Sequence, residues 1–314
     1  MQEPLDFGSD AEPPAPPSAP VSDDPGLREV AWWLEGFTDI EQRFGDALRR
    51  SIDEVLDGQR TSRYDINQLE KTEKTYLGTK VEIVVRAFLE LPRGARMDYL
   101  IAGHEVDAKF SLSPFGWTIP REAMNHLCLL MHADDARSRF TVGLLHITED
   151  VLNQGRNQDG KRTVSKAGRA AIRWLVPDGR LPINALLHMK PVDRERILAA
   201  GFGQSGIDML FTVVQERIVE RETVVTIAAQ TDSAKRVRDA RLHLRLAGIV
   251  ILGHQEDHPR IARDLNLPVP AKGEWISARL VPAVGDNRPA TRIHGEQLVI
   301  AHPDDPAHPI TRKY

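Results

Sequence analysis

The chain has 314 residues, 41% of them hydrophobic, which is enough for two ordinary globular domains, and its single cysteine, Cys128, excludes a disulfide framework. The formal net charge of −4 excludes a uniformly basic nucleic-acid binder, but residues 1–25 hold six acids (Glu3, Asp6, Asp10, Glu12, Asp23, Asp24) and no Lys or Arg, so 45 acidic groups fall to 39 against 41 basic ones in the remainder, a balance that clustered positive groups make compatible with DNA. The absence of a basic, apolar leader and of any apolar run near 20 residues predicts a cytoplasmic chain with no membrane partner.

Residues 1–26, with EPPAPPSAP, read as a disordered tail, because acids and prolines leave too little apolar surface to offset chain entropy. From residue 27 to 170 the pattern predicts a layered α/β (α+β) domain. Apolar spacing predicts helices around Phe44–Leu56 and Lys71–Leu91, separated by the polar, turn-forming DGQRTSRYD. Strands follow over Met97–Ile101 and His104–Ser111, joined by Ala102-Gly103, and two more over His126–His132 and Phe140–Ile147. The polar stretch 153–166 reads as a surface loop near a boundary, with a linker at 171–182. Residues 183–314 then show a short helix near Asp193–Ala200, a stronger one over Ile207–Val219, and an apolar segment, Thr223–Gln230. A basic helix over Asp232–Leu242 and a buried strand over Gly248–Gly253 complete a pattern that predicts a winged helix-turn-helix domain.

The segment MDYLIAGHEVDAKF carries the chemistry. On a strand over His104–Ser111, side chains alternate, so Val106, Ala108 and Phe110 share the buried face while Asp107, Lys109 and Ser111 share the other. Asp98, on the preceding strand across a tight turn, can approach Asp107, and Glu82, on the helix before, can close an oxygen-rich site. Such a site fits Mg²⁺, a hard cation, with the Ala108 carbonyl as a further ligand. Phosphodiester hydrolysis needs a nucleophilic water and neutralised charge, to which Lys109 can add an ammonium. A second triplet of the same kind, Asp159-Gly160-Lys161, falls in the polar stretch and reads as solvated.

DNA contacts are expected from two places. Lys71, Thr72 and Lys74, in EKTEKT, can reach phosphates near the acidic cluster. On the basic helix, Asp232, Ser233, Lys235 and Arg236 can face base edges, while Arg238 and Arg241 can reach phosphates. Three other signals are set aside. Gly201–Gly206 spells GxGxxG without a preceding strand and reads as a turn. His254 and His258 lack the partners of a zinc site, and Cys128 in its apolar run reads as a buried structural thiol.

At these residues the chain resembles the NaeI-type (type IIE) restriction endonucleases. The likeness runs through DGQRTSRYDINQLEKTEKTYLGTKVEI and DYLIAGHEVDAKFS in the first half, and KRVRDAR, GIVILGHQEDHPRIARDLNLPVP and ARLVPA in the second. The resemblance implies a PD-(D/E)xK endonuclease domain followed by a catabolite-activator-like winged-helix domain that binds a second DNA site and stimulates cleavage at the first. It also implies a homodimer, Mg²⁺, a GC-rich palindromic target such as GCCGGC, and a companion DNA methyltransferase in the host. The family's acidic and lysine positions fall on Glu82, Asp98, Asp107 and Lys109. The small Ala108 between the last two departs from the family pattern, where only a backbone contact is expected. A repair or recombination nuclease of the same fold and a non-catalytic DNA-binding regulator are the alternatives. Retention of all four polar residues weighs against the latter.

Overall fold

Asp24 starts the first helix. Its carboxylate accepts the backbone N–H of Leu27 at 3.0 Å, and Pro25 sits in the first turn, where a missing N–H costs nothing. The computed structural model describes residues 24–230, 232–285 and 287–314. Most of the expected tail, residues 1–23, lies outside the described residues; of the rest, Asp24 caps the first helix and Pro25 and Gly26 belong to it.

The first half opens with helices α1 (Pro25–Glu35), α2 (Ile40–Leu56), α3 (Gly58–Thr61) and α4 (Lys71–Phe88). Strands β1 (Tyr99–Ile101), β2 (His104–Ser111), β3 (Thr118–Ile119), β4 (Leu127–Asp134), β5 (Arg139–His146) and β6 (Arg162–Thr163) follow, then helix α5 (Lys166–Ala170) and strand β7 (Arg173–Arg180). Five strands form one sheet in the order β1-β2-β4-β5-β7, with β2 and β4 parallel and the other pairs antiparallel. Residues Val106, Ala108, Leu129, Met131, Val142 and Leu144 on one face pack against α1, α2 and α4 in a single apolar core. The opposite face buries Cys128, Leu130 and Leu145 under Trp117, Ile119 and Val164, which the small β3–β6 pair and its flanks contribute. Buried on both faces, β4 reads as an unbroken apolar run rather than an alternation.

Residues 171–182, expected as a linker, instead contain β7, one of the two edge strands of this sheet. Pro177 and Gly179 give the stretch the look of a turn. An edge strand tolerates proline, and here the pairing with β5 shifts register beside it. Gly179 is required because an added Cβ would meet the Phe140 ring at 2.4 Å.

The second half contains α6 (Ala185–His188), α7 (Pro191–Ala199), α8 (Gln204–Val213), β8 (Ile218–Glu220), α9 (Arg221–Ala228), α10 (Ser233–Leu244) and β9 (Ile249–Leu252). Helix α11 (His258–Asp264) and strands β10 (Glu274–Pro282), β11 (Ala290–Ile293) and β12 (Glu296–Ile300) complete it. The helix expected over Ile207–Val219 therefore stops at Val213, and the chain turns into β8. Strand β10 is central, pairing antiparallel with β8, β9 and β12. Helices α8, α9 and α10 share one apolar core, while α11 and the sheet share another. The halves meet where α3 packs on α9: Gln59 Nε2 donates to the Gln230 carbonyl at 3.1 Å, and Asn184 Nδ2 to the Tyr64 carbonyl at 2.7 Å. Among the described residues no helix is long and apolar enough to cross a membrane.

Candidate active site

A tight hairpin builds the site. Ala102 and Gly103 both adopt positive φ (51° and 83°), as a two-residue hairpin connection demands, and this sets β1 against β2 in register. Asp98 just precedes β1. Its Oδ2 accepts the backbone N–H of Ala108 at 2.7 Å, so it is fixed beside the middle of β2. Alternation along β2 buries Val106 and Ala108 in the helix-side core and turns Asp107 and Lys109 the other way. Lys109 Nζ lies 2.6 Å from Asp107 Oδ2 and donates to the Ala108 carbonyl at 3.0 Å. Cys128, opposite Asp107 across the parallel pair, donates its thiol to the same carboxylate at 3.6 Å.

Helix α4 supplies Glu82. Its first turn is closed by a capping box between Glu70 and Glu73, and Arg63 clamps Glu73 through both guanidinium nitrogens at 2.8 and 2.9 Å. The Tyr99 hydroxyl donates to the Glu82 carbonyl at 2.9 Å, tying the helix to β1. Lys71, Lys74, Thr75, Gly78, Thr79 and Glu82 recur at helical spacing and line one wall of an open groove. Nothing lies within 4 Å of a Cβ added at Gly78, so this glycine leaves the wall low. Lys109 forms part of the floor, and Thr118, Pro120, Glu122 and Lys161 line the groove as well.

The electrostatics are those of crowded acids. Burial, reinforced by Asp98, raises the pKa of Glu82 above the ordinary carboxylate value. Burial pushes Asp107 up to about 6, with Lys109 pulling it down and Asp98 pushing it further up. Burial, and then the Asp107 charge, raises the Cys128 thiol well above its usual range, so it is an inert neighbour as its apolar run predicts. Asp98 thus influences both other acids. Among the described residues, however, no group of three or more His, Cys, Asp or Glu side chains is gathered as a ready-made cation cage. The reason is visible in the hydrogen bonds: Asp107 turns to the Lys109 ammonium and Asp98 to an amide.

Of the other expected contacts, Lys71 and Lys74 line the groove, while Thr72 is exposed beside it. On α10 the structure corrects two expectations. Ser233 is buried in the first turn, because Asp232 takes the capping position and accepts from the Lys235 backbone N–H at 3.0 Å. Arg241 is drawn inward: its Nε donates to the Ile251 carbonyl at 2.8 Å, and burial lowers its pKa. Asp232, Lys235 and Arg238 are exposed, and Arg236 is half-buried, gripping Gln230 Oε1 at 2.6 Å. Lys161, read as solvated from the sequence, lies on the groove; only the non-local pairing of β3 with β6 brings it there. Gly201 and Gly203 take positive φ ahead of α8, as a turn should, and His258 is buried against Tyr314.

A model of the restriction endonuclease NaeI family matches residues 38–309, a span that includes every residue of this site. The chain belongs to the NaeI restriction endonuclease family. It is 40% identical over 294 residues to a type II restriction enzyme NaeI of Lentzea aerocolonigenes, a match that covers 90% of this chain and 92% of the relative. The family match therefore extends through both halves, from the groove to β10 and the strands beyond it.

Proposed function

We propose that this type II restriction endonuclease hydrolyses phosphodiester bonds of double-stranded DNA with Mg²⁺, using Glu82, Asp98, Asp107 and Lys109. The observation that carries the reading is the convergence of Asp98, Asp107 and Lys109 on one hairpin, with Glu82 facing them from α4. The donor set suits the cation: three carboxylates and the Ala108 carbonyl are hard oxygen ligands, and the raised pKa values of Glu82 and Asp107, caused first by burial and then by the neighbouring Asp98, mark carboxylates whose charge a cation would stabilise. When bound there, Mg²⁺ would offset charge on the phosphate and acidify a water. Asp98, held by the Ala108 amide, is fixed beside Asp107. Lys109, braced by Asp107 and the Ala108 carbonyl, presents an ammonium that orients the attacking water and offsets charge developing on phosphate oxygens.

The order α8, β8, α9, α10, β9, β10, with β8 and β9 both paired to β10, supports a winged helix-turn-helix in the second half, with α10 as its recognition helix. Lys235 and Arg238 are exposed and Arg236 is half-buried on this helix, and in this reading they contact a second DNA site. A homodimer, a GC-rich palindrome and stimulation of cleavage by the second site accord with the family. Digestion of plasmid DNA with and without Mg²⁺ tests the proposal. Discrete bands that require Mg²⁺, and their loss in Asp107→Ala with DNA binding retained, are expected. Cutting by Asp107→Ala at the wild-type rate would overturn the metal assignment.

A further inference from the structure

The groove has a second wall that the catalytic reading does not use. It is made by Thr118 of β3, by Pro120 and Glu122 just after it, and by Lys161 in the turn before β6, which the β3–β6 pairing brings alongside. Neighbouring residues on a strand point to opposite sides. Arg162 points into the protein, 6% exposed, where its guanidinium donates to the Asn153 carbonyl at 2.7 Å, to Glu149 at 2.6 Å and to the Leu152 carbonyl at 3.3 Å. Lys161, next in line, is turned the other way, onto the groove that also holds Glu82 and Lys109.

The backbone at Lys161 is held before any ligand arrives. Its N–H donates to Asn157 Oδ1 at 2.8 Å, its carbonyl accepts the Asn157 N–H at 2.9 Å, and Asn157 Oδ1 also takes the N–H of Asp159 at 3.0 Å. Gly160 closes the turn at φ 74°. The ammonium itself is unspent. Among the described residues, no carboxylate lies within ion-pair distance of Lys161, although Asp159 is two residues away and Glu122 lines the same groove. Lys71 and Lys74 on the α4 wall likewise have no ion-pair partner among the described residues, whereas Lys80, on the same helix, is paired with Glu54 at 2.9 Å. A groove with acids at its floor and unpaired ammoniums along its walls has the charge pattern of a channel for a polyanionic backbone.

We propose that Lys161 is a positioning residue of the nuclease groove, taking a phosphate of the bound duplex on the wall opposite α4, so that Lys71, Lys74 and Lys161 bracket the strand presented to Lys109. The proposal rests on the nuclease reading above. The role of Lys161 is to hold the backbone, not to touch the reacting phosphorus, and the Asn157 turn is what pre-orders it.

The test compares wild type with Lys161→Ala, Lys161→Arg, Asn157→Ala and, as a control, Lys166→Ala, whose lysine is exposed on α5 outside the groove. Cleavage of plasmid is followed in Mg²⁺, and binding of a short duplex cut from that plasmid is followed in EDTA across a KCl series. Lys161→Ala should raise KM and Kd about tenfold, the worth of one charge-assisted hydrogen bond, with kcat changed less than about twofold. Its plot of log K against log salt should flatten by about one unit of slope. Lys161→Arg should restore both, and Asn157→Ala should shift them in the same direction as Lys161→Ala but less. Lys161→Ala binding with wild-type Kd and slope, an equal loss in Lys166→Ala, or no rescue by arginine would each overturn the assignment. A wild-type protein that leaves plasmid uncut would instead defeat the nuclease reading, and the EDTA binding series would still decide the role of Lys161.

Discussion

Asp98 reaches across the hairpin to the backbone of Ala108, accepting its N–H at 2.7 Å. One carboxylate thereby serves as a brace for β2 and as a charge beside Asp107, and two substitutions separate these tasks. Asp98→Asn keeps an acceptor for the amide and removes the charge; it should melt near wild type and cut no plasmid. Asp98→Ala removes both and leaves a part-buried N–H unpaired, at a cost of about 1–3 kcal/mol. Urea unfolding and plasmid digestion together check this pair of outcomes. Cleavage at the wild-type rate by the asparagine variant would mean that the charge has no chemical role.

Gly58 is a point of close approach between the halves. A Cβ there would stand 2.2 Å from Thr226 Oγ1 and 2.9 Å from the Arg63 carbonyl. Gly58→Ala must therefore push α3 away from α9 or strain the turn, a loss of about 1–3 kcal/mol by the usual cost of overpacking. Thr226→Ala removes the nearer obstacle and should recover part of that loss. A double-mutant cycle of unfolding free energies measures the coupling. Purely additive effects would show that the two residues do not press on each other in solution.

Asp53 lies at the same junction, 2.7 Å from Arg49, with Asp135 on the other side of that guanidinium at 2.6 Å. Burial pushes its carboxyl up to about 6, Arg49 pulls it down, and Glu222 and Asp135 push it further up. A folded-state pKa above the unfolded value of about 3.9 means that the folded chain binds this proton more tightly. The contribution to stability is full below about pH 4 and is lost as pH rises through about 6, up to about 3 kcal/mol in all. Asp53→Asn cannot lose it. The wild type should therefore lose stability relative to the variant between about pH 4 and 6, with the difference level above about pH 7. Unfolding curves across that range provide the check, and parallel pH profiles would contradict it.

Strand β2, which carries the candidate site, is legible in the sequence because its information is local. Val106, Ala108 and Phe110 alternate with Asp107, Lys109 and Ser111, and the Ala102-Gly103 turn fixes which strand they face. Strand β7 is not legible, since Pro177 and Gly179 carry the local signs of a turn, and it is the close approach of the Phe140 ring and Val176 that explains the glycine. Lys161 escapes sequence reasoning for the same reason at longer range: β3 and β6 are far apart along the chain, and nothing in NQGRNQDGKRT announces Ile119 as the partner of Arg162. The inward turn of Arg241 likewise depends on a carbonyl of β9 that helical spacing cannot reveal.

That difference between neighbouring arginines on α10 gives a last prediction. Arg241 donates to the Ile251 carbonyl at 2.8 Å and is half-buried, whereas Arg238 is exposed and only loosely near Asp232, at 3.8 Å. Arg241→Ala should cost about 1–3 kcal/mol of stability, because it orphans a carbonyl and strips a packed side-chain stem from the strand. Arg238→Ala should change stability by less than about 0.5 kcal/mol. In a DNA-bound second half the ranking reverses: loss of Arg238 should weaken duplex binding and flatten its salt dependence by about one unit of slope. Melting curves and binding isotherms on the same two proteins decide the matter. If Arg241→Ala melted like wild type, the helix would sit differently against β9; if Arg238→Ala bound duplex like wild type, α10 would not be the helix that meets DNA.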